Sequence, residues 1–211
     1  MKIYDIDAFE KLKIRAVDVK RMPSVIEYKY HPKTDSQLIN LIDKRIQDEG
    51  PDCDLNDIDV SAIGDMQCLF GGTDFCGDIS LWDVSNVKNM NAMFFDCNNF
   101  NCDISKWNVW RCEIFISMFQ GCTKFNQNLN SWKPINAKST YGMFKYCTDF
   151  NQPLNNWGKY LDKNEDYSYM FYECKSFDQD LSSWDTFGRY NETMFYDCPI
   201  SKQNRPHNIY G

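Results

Sequence analysis

Apolar and polar residues follow one another along residues 52–200 in a pattern that recurs about every 25 residues. Tryptophan falls at Trp82, Trp107, Trp132, Trp157 and Trp184, with spacings of 25, 25, 25 and 27. An apolar pair that ends in phenylalanine recurs at Phe70, Phe94, Phe119, Phe144, Phe171 and Phe195. Self-similarity at a fixed period is the sequence signature of a repeat architecture.

Three more positions keep the same register. A cysteine follows the phenylalanine by three residues at Cys97, Cys122, Cys147, Cys174 and Cys198, where the first repeat has Thr73. A second phenylalanine, followed by Asn or Asp, comes at Phe100, Phe125, Phe150 and Phe177. An aliphatic residue precedes each tryptophan by three, at Ile79, Ile104, Leu129, Leu154 and Leu181. The cysteine position favours a ladder of small buried residues over a redox or metal ladder, because no histidine repeats beside it.

The local spacing within one repeat predicts a short helix and a short strand. Val87, Met90, Met93, Phe94 and Cys97 are spaced by 3, 3, 1 and 3 residues, which fits two helical turns with one apolar face. The turn-rich segment from Phe100 to Trp107 suits an extended strand with a corner. The predicted fold class is therefore an α/β repeat solenoid, a leucine-rich-repeat-like stack of five to six strand-plus-helix coils.

Residues 1–51 lie outside the repeat and predict an N-terminal α+β module. Alternating residues over 12–19 and 26–30 predict two strands. Thr34 and Gln37 form a capping box, and Leu38, Leu41, Ile42 and Ile46 then give the apolar stripe of a helix at about 34–49. We interpret 1–51 as a cap on the repeats at 52–200, with a docking role as the alternative, and 201–211 as a C-terminal tail.

Charge narrows the class of partner. The chain has 211 residues and a formal net charge of −7. Residues 1–50 carry ten Lys/Arg against nine Asp/Glu, whereas residues 51–211 carry thirteen against twenty-one. The repeats are therefore acidic, which disfavours nucleic acid and favours a protein partner with a basic patch. No apolar stretch is long enough to predict a membrane span, and a monomer or weak oligomer is expected.

No motif predicts catalysis, a metal or a cofactor. The ten cysteines include no C-x-x-C pair, and reduced thiols are expected. Asp52–Asp59 begins like an EF-hand loop, but Asp57 stands where the loop needs glycine and Ile63 where it needs glutamate. The only histidines, His31 and His207, each adjoin a proline in a flanking segment.

The residues that flank the repeated aliphatic are the candidate binding surface. If the aliphatic points inward, its neighbours point outward. We call this set the polar face, and it consists of Asp78, Ser80, Asp103, Ser105, Asn128, Asn130, Asn155, Asp180 and Ser182. Its Asn and Ser side chains are also placed to hydrogen-bond along the stack.

Motifs such as FNCDISKWNV, FNQNLNSW and WDVSNVKNMNAMFFDC resemble the BspA-like leucine-rich-repeat surface proteins of bacteria. The resemblance covers roughly residues 52–200 and implies a parallel solenoid with a binding or adhesive role and no enzymatic activity. No export signal is visible, so we expect a cytoplasmic protein-interaction module, encoded by the producing cell or by a phage or mobile element. The alternative is a cell-surface or virion adhesin, or a ligand-binding fragment whose export signal is missing.

Overall fold

The computed structural model describes residues 27–186, 189 and 192–206. The strand predicted over 12–19 lies outside these residues, and so does His207. In the second predicted strand, Tyr30 forms one parallel bridge with Ile58. Within the described residues, the other elements are one α-helix, three 3₁₀ helices (Asn155–Lys159, Glu192–Phe195 and Lys202–Asn204), and a long succession of turns.

Helix α1 spans Asp35–Glu49 and begins where the sequence pattern places it. The Thr34 hydroxyl accepts a hydrogen bond from the Gln37 amide at 3.3 Å, which satisfies one unpaired donor of the first turn. Leu38 and Ile42 are fully buried and belong to the same hydrophobic core as the repeats. The helix ends at Gly50, whose φ of 97° is readily adopted only by glycine. α1 therefore docks on the first repeat through its apolar stripe.

Each repeat contains a series of tight turns, and several of these turns begin and end on a buried residue. The Trp107 amide donates to the carbonyl oxygen of Ile104 at 3.1 Å, and the Cys97 amide donates to that of Phe94 at 3.0 Å. Both residues of each pair are buried. An i to i+3 hydrogen bond of this kind closes a β-turn. The repeated spacing of three apolar residues is thus the span of one turn.

Backbone hydrogen bonds alternate between the repeat itself and its neighbour. The Phe94 amide donates to the Met118 carbonyl of the following repeat at 2.9 Å, and the next amide, Phe95, donates back to Ala92 at 3.1 Å. Between these bonds the chain enters the left-handed region two residues before and two residues after the phenylalanine. The residues before it are Cys68, Ala92, Ser117, Gly142 and Tyr169, and those after it are Gly72, Asp96, Gly121, Tyr146, Glu173 and Asp197.

The predicted α/β solenoid of strand-plus-helix coils is wrong. No β-sheet occurs within the described residues, and neighbouring repeats share only isolated parallel bridges. One row of bridges joins Asp65, Asn89, Ile114, Ser139 and Asp166 in succession, and one more bridge joins Asp54 to Asp78. The segment at Met93-Phe94 is not α-helical either, because a left-handed residue at Ala92 (φ 52°) breaks the run of right-handed residues that an α-helix needs. The Met-Phe pair of the last repeat lies in the short 3₁₀ helix Glu192–Phe195. The described repeats are turns stacked in register.

Aromatic ladders fill the core of the stack. Phe94 lies 5.4 Å from Phe70 and 5.6 Å from Phe119, with ring planes within 5° of parallel. Trp107 lies 6.5 Å from Trp82 and 6.4 Å from Trp132. Burying one such side chain contributes about 1.5–3 kcal/mol, and aromatic pairing adds about 0.5–1.5 kcal/mol. Each repeat is therefore held by packing against its two neighbours.

Candidate binding surface

The structure places the polar face at the surface. The repeated aliphatics are buried, whereas the residue before each, at Asp78, Asp103, Asn128 and Asp180, is exposed. The residues that follow, Ser80, Ser105, Asn130 and Ser182, are half-buried. Asn155 is also exposed but lies in the 3₁₀ helix Asn155–Lys159, so the face changes its backbone shape at the fourth repeat.

The side chains of the exposed residues that precede an aliphatic each bond to the chain two residues later, at Asp78, Asp103, Asn128 and Asp180. The Asp78 carboxylate accepts a hydrogen bond from the Ser80 amide at 2.8 Å. Asn128 accepts the same bond from Asn130 at 2.9 Å. These contacts are Asx turns, which orient the side chain and satisfy an amide that the tight corner leaves unpaired. One oxygen of each of these side chains is thereby held by the protein itself.

These contacts keep the carboxylates charged. Burial opposes the ionisation of Asp78, but hydrogen bonds from Ser80, Asn56 and Cys102 outweigh it and hold the pKa of Asp78 below its usual value. Hydrogen bonds from the Ser105 side chain and amide likewise lower the pKa of Asp103. Both groups are therefore anionic at neutral pH.

The first repeats form an open depression of about 400 Å³ at one end of the polar face. Its wall includes the carboxylates of Asp52, Asp78 and Asp103, together with one cation, Lys106. We call this site the acidic depression. Gly77 is buried in its wall, and an added Cβ there would lie 2.0 Å from the Cys53 carbonyl oxygen. The close approach of two backbones thus requires glycine at this position.

Two further depressions continue along the same face. One of about 390 Å³ is lined by Ser105, Asn128, Asn130, Ser131 and Asn156. The other, of about 570 Å³, shares Ser105 and Ser131 and adds two cations, Lys106 and Lys133. The face is therefore acidic over the first repeats, neutral to basic where these two depressions lie, and acidic again at Asp180.

A row of asparagines outside the predicted polar face also forms side-chain hydrogen bonds along the stack. The Asn101 side-chain oxygen accepts from the Asn126 amide at 2.9 Å, and Asn126 accepts in turn from Asn151 at 3.0 Å. Asp178 occupies the same position and accepts from the Ser201 amide at 2.8 Å. The recurrence of Asn or Asp directly after the second phenylalanine of the repeat was the sequence signal for this row. In the predicted polar face, one such contact joins Asn130 to Asn155 at 2.9 Å.

The buried thiols form a second ladder. Cys122 donates to the Phe94 carbonyl oxygen at 2.9 Å, and Cys147 donates to that of Phe119 at 2.9 Å. Burial raises the pKa of Cys97 to about 11 and that of Cys112 to about 12. All ten cysteines are free thiols. The ladder thiols stay protonated at neutral pH and are weak nucleophiles there.

The carboxylates near the start of the repeats are occupied by protein contacts. Asp57 binds the Arg45 guanidinium at 2.9 Å, which ties α1 to the first repeat. Asp59 accepts from Ser61 at 2.6 Å and lies 3.2 Å from His31. The part of the chain that the structure describes contains no group of three metal-ligating side chains and no helix long and apolar enough to cross a membrane.

No curated protein and no solved structure shows significant similarity to the chain. Two overlapping segments, residues 44–157 and 115–208, match one family. The overlap follows from the internal repeat, and the two matches together span residues 44–208, most of the chain. The protein therefore belongs to the family described as "Mycoplasma protein of unknown function, DUF285".

Proposed function

We propose that the chain is a non-enzymatic protein-interaction module that offers its polar face to a protein partner with a basic patch. The observation that carries this proposal is the acidic depression, where Asp52, Asp78 and Asp103 stand against Lys106 alone. Because Asp78 and Asp103 have lowered pKa values, their charge is present throughout the neutral range.

Electrostatics supports a basic protein over other classes of partner. A net charge of −7 steers cations toward the chain and repels phosphates. Charged groups that ring an open depression chiefly set the association rate and the choice of partner. We therefore expect association to be fast at low ionic strength and to slow as salt is added.

The test uses a labelled lysine-rich peptide as the probe, and two double variants of equal charge. Asp78→Asn with Asp103→Asn removes two charges from the acidic depression. Asn128 already makes the same turn contact, so the fold is retained. Asp83→Asn with Asp162→Asn removes two exposed charges that do not line the depression.

We expect the first double variant to bind the probe at least about fivefold more weakly, a loss of about 1 kcal/mol. The second should bind like the unchanged chain, and both should keep its melting temperature. Equal losses in the two variants would mean that only net charge matters, and the proposal would fail. A loss confined to changes within residues 1–50 would make the N-terminal module the binding element.

We also propose that the chain is related to the BspA-like surface proteins, which is a more specific relationship than membership of the matched family. The shared register of Trp, Met-Phe, Cys and Phe-Asn over residues 52–200 supports this kinship. It favours a binding role and leaves open whether the chain acts inside the cell or at its surface. Fractionation of producing cells, with protease treatment of intact cells, distinguishes these two locations.

A further inference from the structure

A cluster of tyrosines covers a different part of the stack from the polar face. It consists of Tyr141, Tyr146, Tyr169, Tyr172 and Tyr196, and we call it the tyrosine surface. Three of its members are at least a third exposed, at 36% for Tyr141, 37% for Tyr146 and 59% for Tyr196. All five lie within three residues of the buried phenylalanine of their repeat.

The five rings form one connected surface across three repeats. Tyr172 stacks on Tyr196 at 4.9 Å and meets Tyr146 edge-on at 5.6 Å. Tyr169 lies 5.6 Å from Tyr172 and 5.4 Å from Tyr141. Exposed aromatic surface that is contiguous, rather than scattered, marks an interaction site. Tyrosine suits such a site, because it offers a large apolar ring and a hydroxyl for little lost entropy.

Lys145 places a cation in the centre of this surface. Its Nζ lies 5.0 Å from the ring centroids of Tyr146 and Tyr169 and 4.9 Å from that of Tyr172. These distances are within the range of cation–π attraction. Other surface lysines pair with acids across repeats, as Lys138 does with Glu113 at 2.5 Å. Among the described residues, no carboxylate forms an ion pair with Lys145.

Two of the tyrosines occupy backbone positions that do not suit them. Tyr146 (φ 63°) stands where the preceding repeat has Gly121, and Tyr169 (φ 59°) stands where the preceding repeat has Gly142. A bulky residue in the left-handed region has a less favourable backbone energy than the glycine that occupies this position in the preceding repeat.

We propose that the tyrosine surface docks an extended acidic, proline-containing segment of another protein. Aromatic rows bind proline-rich segments, because the polyproline conformation is extended before binding and its rings pack against aromatic faces. Tyrosine hydroxyls donate to the carbonyls that such a segment leaves free. Glu173 and Asp197 border the surface but both pair with Lys175, so Lys145 supplies the charge complement and selects a segment that carries a carboxylate.

This surface goes beyond the proposed role of the polar face. The acidic depression favours cationic partners, and the tyrosine surface favours anionic ones. The two sites can therefore be tested separately with peptides of opposite charge, and the failure of one leaves the other standing.

The experiment measures fluorescence anisotropy of labelled peptides on the full chain. The probes are an alternating aspartate–proline peptide, its asparagine–proline counterpart and its lysine–proline counterpart. The variants are Lys145→Gln and Tyr196→Ser, chosen because Tyr196 is the most exposed ring. Lys159→Gln is the matched control, because Lys159 also lies over a tyrosine, Tyr160, at 5.1 Å but outside the cluster.

We expect the aspartate–proline peptide to bind about tenfold more tightly than the asparagine–proline peptide, and to lose that advantage in Lys145→Gln. Tyr196→Ser should weaken both peptides, and Lys159→Gln should change neither. Unchanged melting temperatures exclude unfolding as the cause. Equal binding of the aspartate and asparagine peptides, or an equal loss in Lys145→Gln and Lys159→Gln, would overturn the proposal.

Two other occupants would give distinct results that also overturn it. Self-association of the unchanged chain in sedimentation velocity, abolished by Lys145→Gln, would identify a second copy as the occupant. Displacement of the peptide by a sialylated oligosaccharide at lower concentration than by unlabelled peptide would identify an acidic glycan.

Discussion

The indole nitrogen of Trp132 donates a hydrogen bond to the backbone carbonyl oxygen of Ile104, 3.0 Å away in the preceding repeat. The same bond joins Trp107 to Ile79 at 3.2 Å and Trp157 to Leu129 at 2.8 Å. Each tryptophan therefore both fills the core and satisfies a carbonyl that its neighbour buries. This double role explains why the position holds tryptophan in five successive repeats.

Truncation of a central tryptophan should separate these two roles. We expect Trp132→Ala to lower the free energy of unfolding by about 3–5 kcal/mol, because it leaves a large cavity. Trp132→Phe keeps most of the packing and loses the indole donor, and should cost about 1–2 kcal/mol. Urea denaturation measures both. An unchanged midpoint in Trp132→Ala would show that the tryptophans do not support the stack.

We expect the asparagine row to contribute to stability through its side-chain hydrogen-bond acceptor rather than through its side-chain volume. Asn126 accepts hydrogen bonds from the Asn151 amide and from Gln152, each at 3.0 Å. Asn126→Ala removes this acceptor and should cost about 1–2 kcal/mol. Asn126→Asp should cost less, because Asp178 already serves at the equivalent position.

Thermal denaturation compares the two Asn126 variants with Asn99→Ala. Asn99 is an exposed asparagine in the corresponding turn region of the preceding repeat. Equal losses in Asn126→Ala and Asn99→Ala would mean that the row contributes nothing through its side chains.

The rates at which the thiols react with an aromatic disulfide should depend on how deeply each thiol is buried. Cys68 and Cys76 are exposed, and Cys102 is half-buried. We expect Cys68 and Cys76 to react rapidly in the folded protein and Cys102 more slowly. The seven buried thiols should appear only with denaturant. Rapid reaction of most thiols without denaturant would contradict the burial of the ladder.

Alkaline pH should weaken the fold through the same thiols. The pKa of Cys97 is raised to about 11 in the folded chain, against about 8.5 for an unperturbed thiol. The folded state keeps a proton that the unfolded state loses, so this stability is complete below about pH 8.5 and declines as pH rises toward 11. Cys97→Ser keeps a donor for the Phe70 carbonyl but does not titrate there.

We expect the denaturation midpoint of Cys97→Ser to fall less between pH 8 and pH 10 than that of the unchanged chain. The difference in midpoint between the two chains is taken at each pH, so that the contribution of the other ionisable groups cancels. Parallel curves would show that ionisation of Cys97 is not coupled to unfolding.

The sequence reveals which residues point inward but not the backbone that carries them. Trp132 and Phe119 are buried as their register predicts. A spacing of three apolar residues, however, fits one turn of helix and one β-turn equally well. Ala92 and Ser117 take left-handed conformations that cross-repeat hydrogen bonds stabilise. Neither alanine nor serine favours this conformation, so their residue types do not predict it. Gly72, Gly121 and Gly142 were the available signal.

The candidate surface was predictable in position and less so in chemistry. Outward placement of Asp78 and Asp103 follows from the burial of Ile79 and Ile104 beside them. The acidic depression depends on where Asp52 and Lys106 come together, which the period does not specify. The tyrosine surface was missed because its members stand at four different positions of the repeat and come together only in the folded stack.

The hydrogen bonds of the stack connect a repeat only with the repeats next to it, as in the step from Phe94 to Met118 and the step from Trp132 back to Ile104. Each repeat is consequently a unit of inheritance as well as of structure. Duplication of one whole unit within the gene would lengthen the array while keeping the same kind of contact at each step. The stack also accommodates units of unequal length, since the Trp184 indole still donates to the Leu154 carbonyl at 3.0 Å across the 27-residue spacing. Selection on such a gene can adjust reach and valency by copy number, while the chemistry of each surface changes one unit at a time.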